Sequence, residues 1–228
     1  MKTKISCLVL LGALFFSASG LAAQPVRTLT LGAYTTPREA YGKAIIPAFQ
    51  RYWKQKTGQE VRFQESYLGS GAQARAIAGG FEADVAALSL EADVDTLAKA
   101  GLIQRDWRTG PNRGMVSRSV VVLAVRQGNP KVIKDWDDLR RRGLEILTPN
   151  VRTSGGAKWN VCALYGAALR GATSAKKGDA AAASVLLVDV LRNVTVMDKG
   201  ARESMINFEK GVGDVAITYE NEVLVGRK

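Results

Sequence analysis

Two short loops carry the chemistry of this chain: Tyr67-Leu68-Gly69-Ser70-Gly71-Ala72-Gln73 and Asn150-Val151-Arg152-Thr153-Ser154-Gly155-Gly156-Ala157-Lys158-Trp159-Asn160. Each sets a serine hydroxyl beside glycines and leads into a helix-forming stretch. Such a loop turns bare backbone N–H groups and a hydroxyl outward at a helix N-terminus, an arrangement that holds an anion without a charged side chain. Because the two loops lie far apart in the sequence, they predict one oxyanion held between two lobes. Glycine suits these positions because a Cβ would keep the backbone away from the anion's oxygens.

The remaining side chains narrow that chemistry. The chain contains no histidine, which removes the commonest metal ligand and the commonest general base together. An exported phosphotransfer or ester-hydrolysing enzyme would need a nucleophile with an adjacent base, or a metal cluster, and the sequence offers no convincing set. Glu220 and Glu222 have the spacing of a carboxylate pair, but on a strand alternate residues face opposite ways. No catalytic residue, metal ligand or cofactor is therefore expected. The net charge is +11 and could serve nucleic acid, lipid or small anions. Its basic residues are dispersed, densest at Arg140-Arg141-Arg142, and no aromatic-basic stripe accompanies them; a solvated surface is expected rather than a nucleic-acid face. Trp53, Trp107, Trp136 and Trp159 are read as packing residues. Arg38 and Arg202 are read as groups that orient loops or bridge the lobes.

The elements that must position the loops follow from periodicity. Residues 28–34 alternate as a strand, and Pro37 opens a helix whose apolar positions Ala44, Ile45, Ala48, Phe49, Tyr52 and Trp53 keep helical period up to Gly58. A strand over 61–66, a helix over 72–78, a buried strand over 83–89 and a helix over 93–100 follow. This rhythm predicts a parallel α/β sheet, whose ligands lie at the strand carboxyl ends, where Thr35 and Ser70 fall. The second half repeats the order: strands over 119–125, 144–147, 194–197 and 213–218, and helices over 136–142, 158–169 and 180–193, with a third strand-loop-helix junction over 195–204. The fold class is α/β in two lobes, residues 24–118 and 119–218. Residues 219–228 begin a return crossover with no clear terminal helix.

Residues 1–23 have a charged start, a short apolar run and a small-residue exit. These are the three parts of a secretory signal peptide, with cleavage expected near Ala22 or Ala23. Periplasmic export follows. Cys7 lies in the apolar run without a lipobox, so the mature chain holds Cys162 alone and no intramolecular disulfide.

The chain resembles the periplasmic sulfate-binding protein family, the substrate-capturing components of sulfate and thiosulfate ABC importers. The resemblance rests on Trp53-Lys54-Gln55-Lys56-Thr57-Gly58, Gly69-Ser70-Gly71-Ala72-Gln73, Gly128-Asn129-Pro130-Lys131 and Asp135-Trp136-Asp137-Asp138-Leu139. It continues through Thr148-Pro149-Asn150, the run from Ser154 to Asn160, Gly200-Ala201-Arg202, and Gly213-Asp214 with Glu220-Asn221-Glu222. It implies a two-lobed periplasmic binding protein of type II that is not an enzyme, that acts as a monomer, and that has a membrane ABC permease as partner. It also implies the ligand donors: Thr35, the hydroxyl and backbone of Ser70 with Gly71, Ser154 with Gly155 and Gly156, the backbone of Ala201, and Tyr219. The chain departs from the family where Thr35-Thr36 replaces an aspartate-proline and where Tyr219 replaces a tryptophan. A phenol both donates and accepts, whereas an indole only donates. Family members also continue well past the position of Lys228, so the resemblance implies a first lobe lacking its C-terminal completion.

A pocket built only from donors suits sulfate, which carries no proton near neutral pH. Phosphate keeps one, and leaving it unpaired costs about 1 to 3 kcal/mol. Thiosulfate, molybdate and phosphate remain alternative oxyanions. A truncated fragment that binds nothing, or a degenerate domain used for protein contacts, remain alternative roles.

Overall fold

The computed structural model describes residues 25–226; the expected signal peptide lies outside them. Strand β1 (Arg27–Tyr34) buries Leu31 and Ala33 on one face and leads into a helical run of three parts. These are α1 (Arg38–Ala40), a π turn (Tyr41–Ile45) and α2 (Ile46–Thr57). The sequence predicts one uninterrupted helix here. The π turn has a local cause: Pro47 brings no N–H to the ladder, and the Ile46 N–H donates five residues back to Tyr41 O. Phe49 stacks on Trp53 and meets Phe63 edge-on, fastening α2 to β2 (Val61–Leu68).

Helix α3 (Ser70–Ala78), β3 (Val85–Ala87) and α4 (Glu91–Lys99) follow in the first lobe; β3, expected to be buried, is exposed at Val85 and Ala86. Its three strands are parallel in the order β2-β1-β3, with Arg27 opposite Val61 and Leu31 opposite Val85. Ala74, Ile77 and Leu97 close the helix side of this sheet.

The second sheet has the order β4-β7-β5-β6. Strand β4 (Val121–Val125) runs antiparallel to β7 (Val215–Tyr219), while β5 (Ile146–Leu147) lies parallel to both β7 and β6 (Val194–Val196). Helices α5 (Gly155–Arg170), α6 (Ala180–Leu191) and α7 (Ala201–Glu209) cover it. The main core gathers Leu139, Ile146, Leu164, Leu186, Val190, Val215 and Ile217. Truncating a fully buried leucine such as Leu164 to alanine costs about 2 to 5 kcal/mol.

Two expectations are corrected. The helix read over 136–142 is a single 3-10 turn, Asp137–Arg140, held by Asp135 and Asp138 capping nearby N–H groups. The chain also does form a helix after β7: α8 (Glu220–Gly226). Glu220 and Glu222 thus sit in a helical first turn and not on a strand, with Glu220 exposed and Glu222 buried. Two helices also begin earlier than expected, α3 at Ser70 and α5 at Gly155, because the glycines of both loops enter the first turn.

Candidate functional site

The parallel strands direct their carboxyl ends toward one crevice. Thr35 follows β1, Ser70 and Gly71 follow β2, Ser154 to Gly156 follow β5, Ala201 follows β6, and Tyr219 ends β7. The glycines show how closely these segments meet. A Cβ on Gly69 would lie 2.5 Å from Thr153 O and 2.6 Å from Lys199 O, both backbone atoms of the other lobe. One on Gly155 would collide with Ser89 Oγ and come within 3.1 Å of Ser70 Cβ. One on Gly156 would sit 3.1 Å from the Tyr219 ring and 3.3 Å from Ala201 Cβ, and one on Gly200 would sit 2.5 Å from Thr35 Oγ1. All eight residues expected in the site are thereby gathered in one contiguous, buried region.

The donors there belong to three helix starts. In α3, Gln73 N donates to Gly69 O and Ala72 N crosses the lobes to Thr153 O at 3.2 Å, and the first-turn N–H groups of Ser70 and Gly71 have no intrahelical acceptor. In α5, Ser154 caps the helix by accepting from Ala157 N, which leaves its own proton and the N–H groups of Gly155 and Gly156 for a guest. In α7, Ala201 occupies the first position after Gly200. All three helix starts bring positive partial charge to the same place. Tyr219 adds a phenol whose pKa burial pushes well above the ordinary value, so its proton is retained. Burial likewise pushes Tyr34 up to about 12, with Tyr41 and Glu222 adding to the shift.

One expected donor is used otherwise. The Ser70 hydroxyl gives its proton to Asp93 Oδ2 at 2.6 Å and accepts from Ser89 N at 2.9 Å. Its hydroxyl is therefore fixed within the protein, and its backbone N–H is what remains for an anion.

Arg202, next to Ala201, bridges the lobes. Its guanidinium meets Glu39 at 3.1 Å in the first lobe, Glu209 at 3.1 Å in the second, and Glu222 at 3.3 Å in α8. Burial opposes its charge, but these carboxylates outweigh that and hold its pKa above the ordinary value. Burial dominates at Glu222 and raises its pKa although Arg202 pulls the other way. Arg38 lies over the ring of Tyr67, the residue that opens the first glycine-serine loop.

Beside the converging loops lies a cleft of about 830 Å³, with Tyr34, Thr36, Ser89, Trp159, Cys162 and Tyr219 in its walls. Trp53 and Trp136 pack as expected, and Trp107 donates to Asp95. Trp159 corrects the expectation: it is 45% exposed on the cleft rim, and its Nε1 donates to Ser89 O at 3.1 Å. Asp93, Ser89 and Trp159 border the site without belonging to the eight gathered residues, and sequence reasoning missed them. The one available signal was position, since Ser89 follows β3 at the carboxyl end where the other loops gather. Among the described residues, no group of three or more His, Cys, Asp or Glu side chains is arranged to hold a metal.

A family model described as bacterial extracellular solute-binding protein matches residues 29–228. A sulfate-binding protein of Synechococcus elongatus is 46% identical over 213 residues, covering 93% of this chain and 59% of the relative. A thiosulfate-binding protein of Pseudomonas aeruginosa is 36% identical over 225 residues, covering 97% of this chain and 65% of the relative. Among solved structures, the sulfate-binding protein SubI from Mycobacterium tuberculosis H37Rv superposes with a TM-score of 0.78 at 38% identity, covering 87% of this chain and 67% of that one. The chain spans about three fifths of the length of the curated relatives it matches.

Proposed function

This chain belongs to the bacterial extracellular solute-binding protein family, and on that premise we propose that it captures sulfate between its two lobes and delivers it to a membrane ABC permease. The observation that carries the reading is the meeting of three helix starts, those of α3, α5 and α7, with no charged side chain among the eight gathered residues. Donors from Ser70, Gly71, Gly155, Gly156 and Ala201 backbones, the Thr35 segment, the Ser154 hydroxyl and the Tyr219 phenol surround the anion. Each hydrogen bond to a charged acceptor is stronger than a neutral one, and the closed lobes exclude water and strengthen all of them.

The same set explains selection. Sulfate has only acceptors to offer near neutral pH, so a ring of donors leaves none of its atoms unpaired. Monohydrogen phosphate carries a proton that needs an acceptor; Ser70 Oγ is already engaged by Ser89 N and Asp93, which leaves the hydroxyls of Thr35, Ser154 and Tyr219 as the only side-chain acceptors among the eight residues. Thiosulfate is the nearest second ligand, because a relative so named matches nearly all of this chain. The reading places the protein outside the cytoplasmic membrane as a monomer, with residues 1–23 as its export signal and no nucleic-acid partner.

Calorimetric titration of residues 24–228 against sulfate, thiosulfate, molybdate and phosphate tests this. Saturable heat with sulfate or thiosulfate, and much less with phosphate, is the expected result. No heat with any of the four anions overturns the proposal.

A further inference from the structure

Two consecutive residues in the first half of α5, Lys158 and Trp159, reach out of the second lobe onto the first. The Lys158 ammonium lies 3.5 Å from Asp93 Oδ1, and Trp159 Nε1 donates to Ser89 O at 3.1 Å. On the receiving side, Ser70 joins the two acceptors, since its hydroxyl donates to Asp93 and accepts from Ser89 N. Lys158 and Trp159 thus close a ring of contacts through Ser89, Ser70 and Asp93. None of the lysine and indole atoms involved is among the expected anion donors. Both side chains are substantially exposed, while the Asp93 carboxylate is only 8% exposed.

The position of the ring on α5 gives it meaning. The first turn of that helix presents Gly155 and Gly156 to the anion pocket, and the residues just beyond grip the opposite lobe. Contacts that exist only when the lobes meet stabilise the closed form alone; in an opened form, Asp93 and the Ser89 carbonyl would return to water. We propose that Lys158 and Trp159 form a clasp that holds the lobes together by protein contacts alone, and so sets how long the closed complex lasts. The closure half of this inference stands on the geometry, and its effect on sulfate release rests on the function proposed above.

The two prongs differ in kind. The Lys158 contact is a half-exposed ion pair that weakens as salt rises, whereas the indole hydrogen bond does not depend on screening. Losing both speeds release by about tenfold, the combined worth of one modest ion pair and one hydrogen bond. Capture precedes closure, so the association rate stays near that of the unaltered protein.

The test uses Lys158→Met, Trp159→Phe and the double variant, all at exposed positions, with circular dichroism confirming that each folds. Small-angle X-ray scattering without any anion should give a larger radius of gyration for the double variant than for the unaltered chain. Stopped-flow release should show sulfate leaving the double variant about tenfold faster at an unchanged association rate, with Lys158→Met losing its effect at high salt. An unchanged radius together with unchanged release overturns the clasp and leaves the sulfate proposal standing. If the unaltered chain binds no sulfate, the functional proposal fails, and the scattering comparison alone decides the clasp.

Discussion

Substituting Gly69 by alanine separates closure from folding. Gly69 has φ −59° and ψ 143°, a conformation open to any residue, so alanine strains nothing in its own backbone. The obstacle is the other lobe: the new methyl would lie 2.5 Å from Thr153 O and 2.6 Å from Lys199 O. Ordinary contact for such a carbon begins near 3.4 Å. The second lobe must therefore back away by roughly 0.9 Å, the difference between those distances, at an overpacking cost of about 1 to 3 kcal/mol. That retreat also loosens the Ala72 N to Thr153 O hydrogen bond. Because the cost falls on the closed form, sulfate affinity should drop by about 5-fold to about 140-fold. Calorimetric titration measures the affinity, and circular dichroism checks that the fold is kept. A folded Gly69→Ala protein with unaltered affinity would refute the idea that ligand capture requires these two backbones to meet.

Ser154→Ala removes both a hydroxyl donor and the cap of α5. Sulfate affinity should fall by roughly 10-fold to 100-fold, the worth of a hydrogen bond to a charged group, and urea unfolding should show about 1 kcal/mol less stability. Tyr219→Phe should keep the fold and weaken sulfate binding, and because burial holds the phenol proton, binding to the unaltered chain should show no tyrosine titration through neutral pH in calorimetry. Glu222 has a raised pKa in the folded protein, so the native state binds its proton more tightly than the unfolded chain does. Its contribution to stability is therefore present below the ordinary carboxylate pKa and is lost as pH rises through the raised one. Glu222→Gln should flatten that decline, and urea unfolding across pH 4 to 8 measures it.

The two glycine-serine loops were legible because their chemistry is local. A serine between glycines at a strand-to-helix junction declares its free N–H groups within a few residues, and the parallel rhythm of the first half fixes the end of the sheet where they gather. Ser89, Asp93 and Trp159 were not legible, since each borders the site through a partner far away in sequence: Trp159 meets Ser89 across 70 positions, and Lys158 meets Asp93 across 65. The fate of the Ser70 proton was hidden for the same reason. Helix α8 was missed because Glu220-Asn221-Glu222 continues from a well-formed strand without a glycine or proline to mark the change. The π turn was missed because periodicity through Ala44, Ile45 and Ala48 survives it, although Pro47 stood in plain view as its cause.

The central claim is that backbone N–H groups from both lobes converge on a single uncharged-donor site. Amide chemical shifts followed by nuclear magnetic resonance during a sulfate titration test it most directly. Gly71 in the first lobe, and Gly155, Gly156 and Ala201 in the second, should shift downfield together along one saturable curve. Saturable sulfate binding that leaves these four amides unmoved, or moves those of one lobe alone, would contradict it.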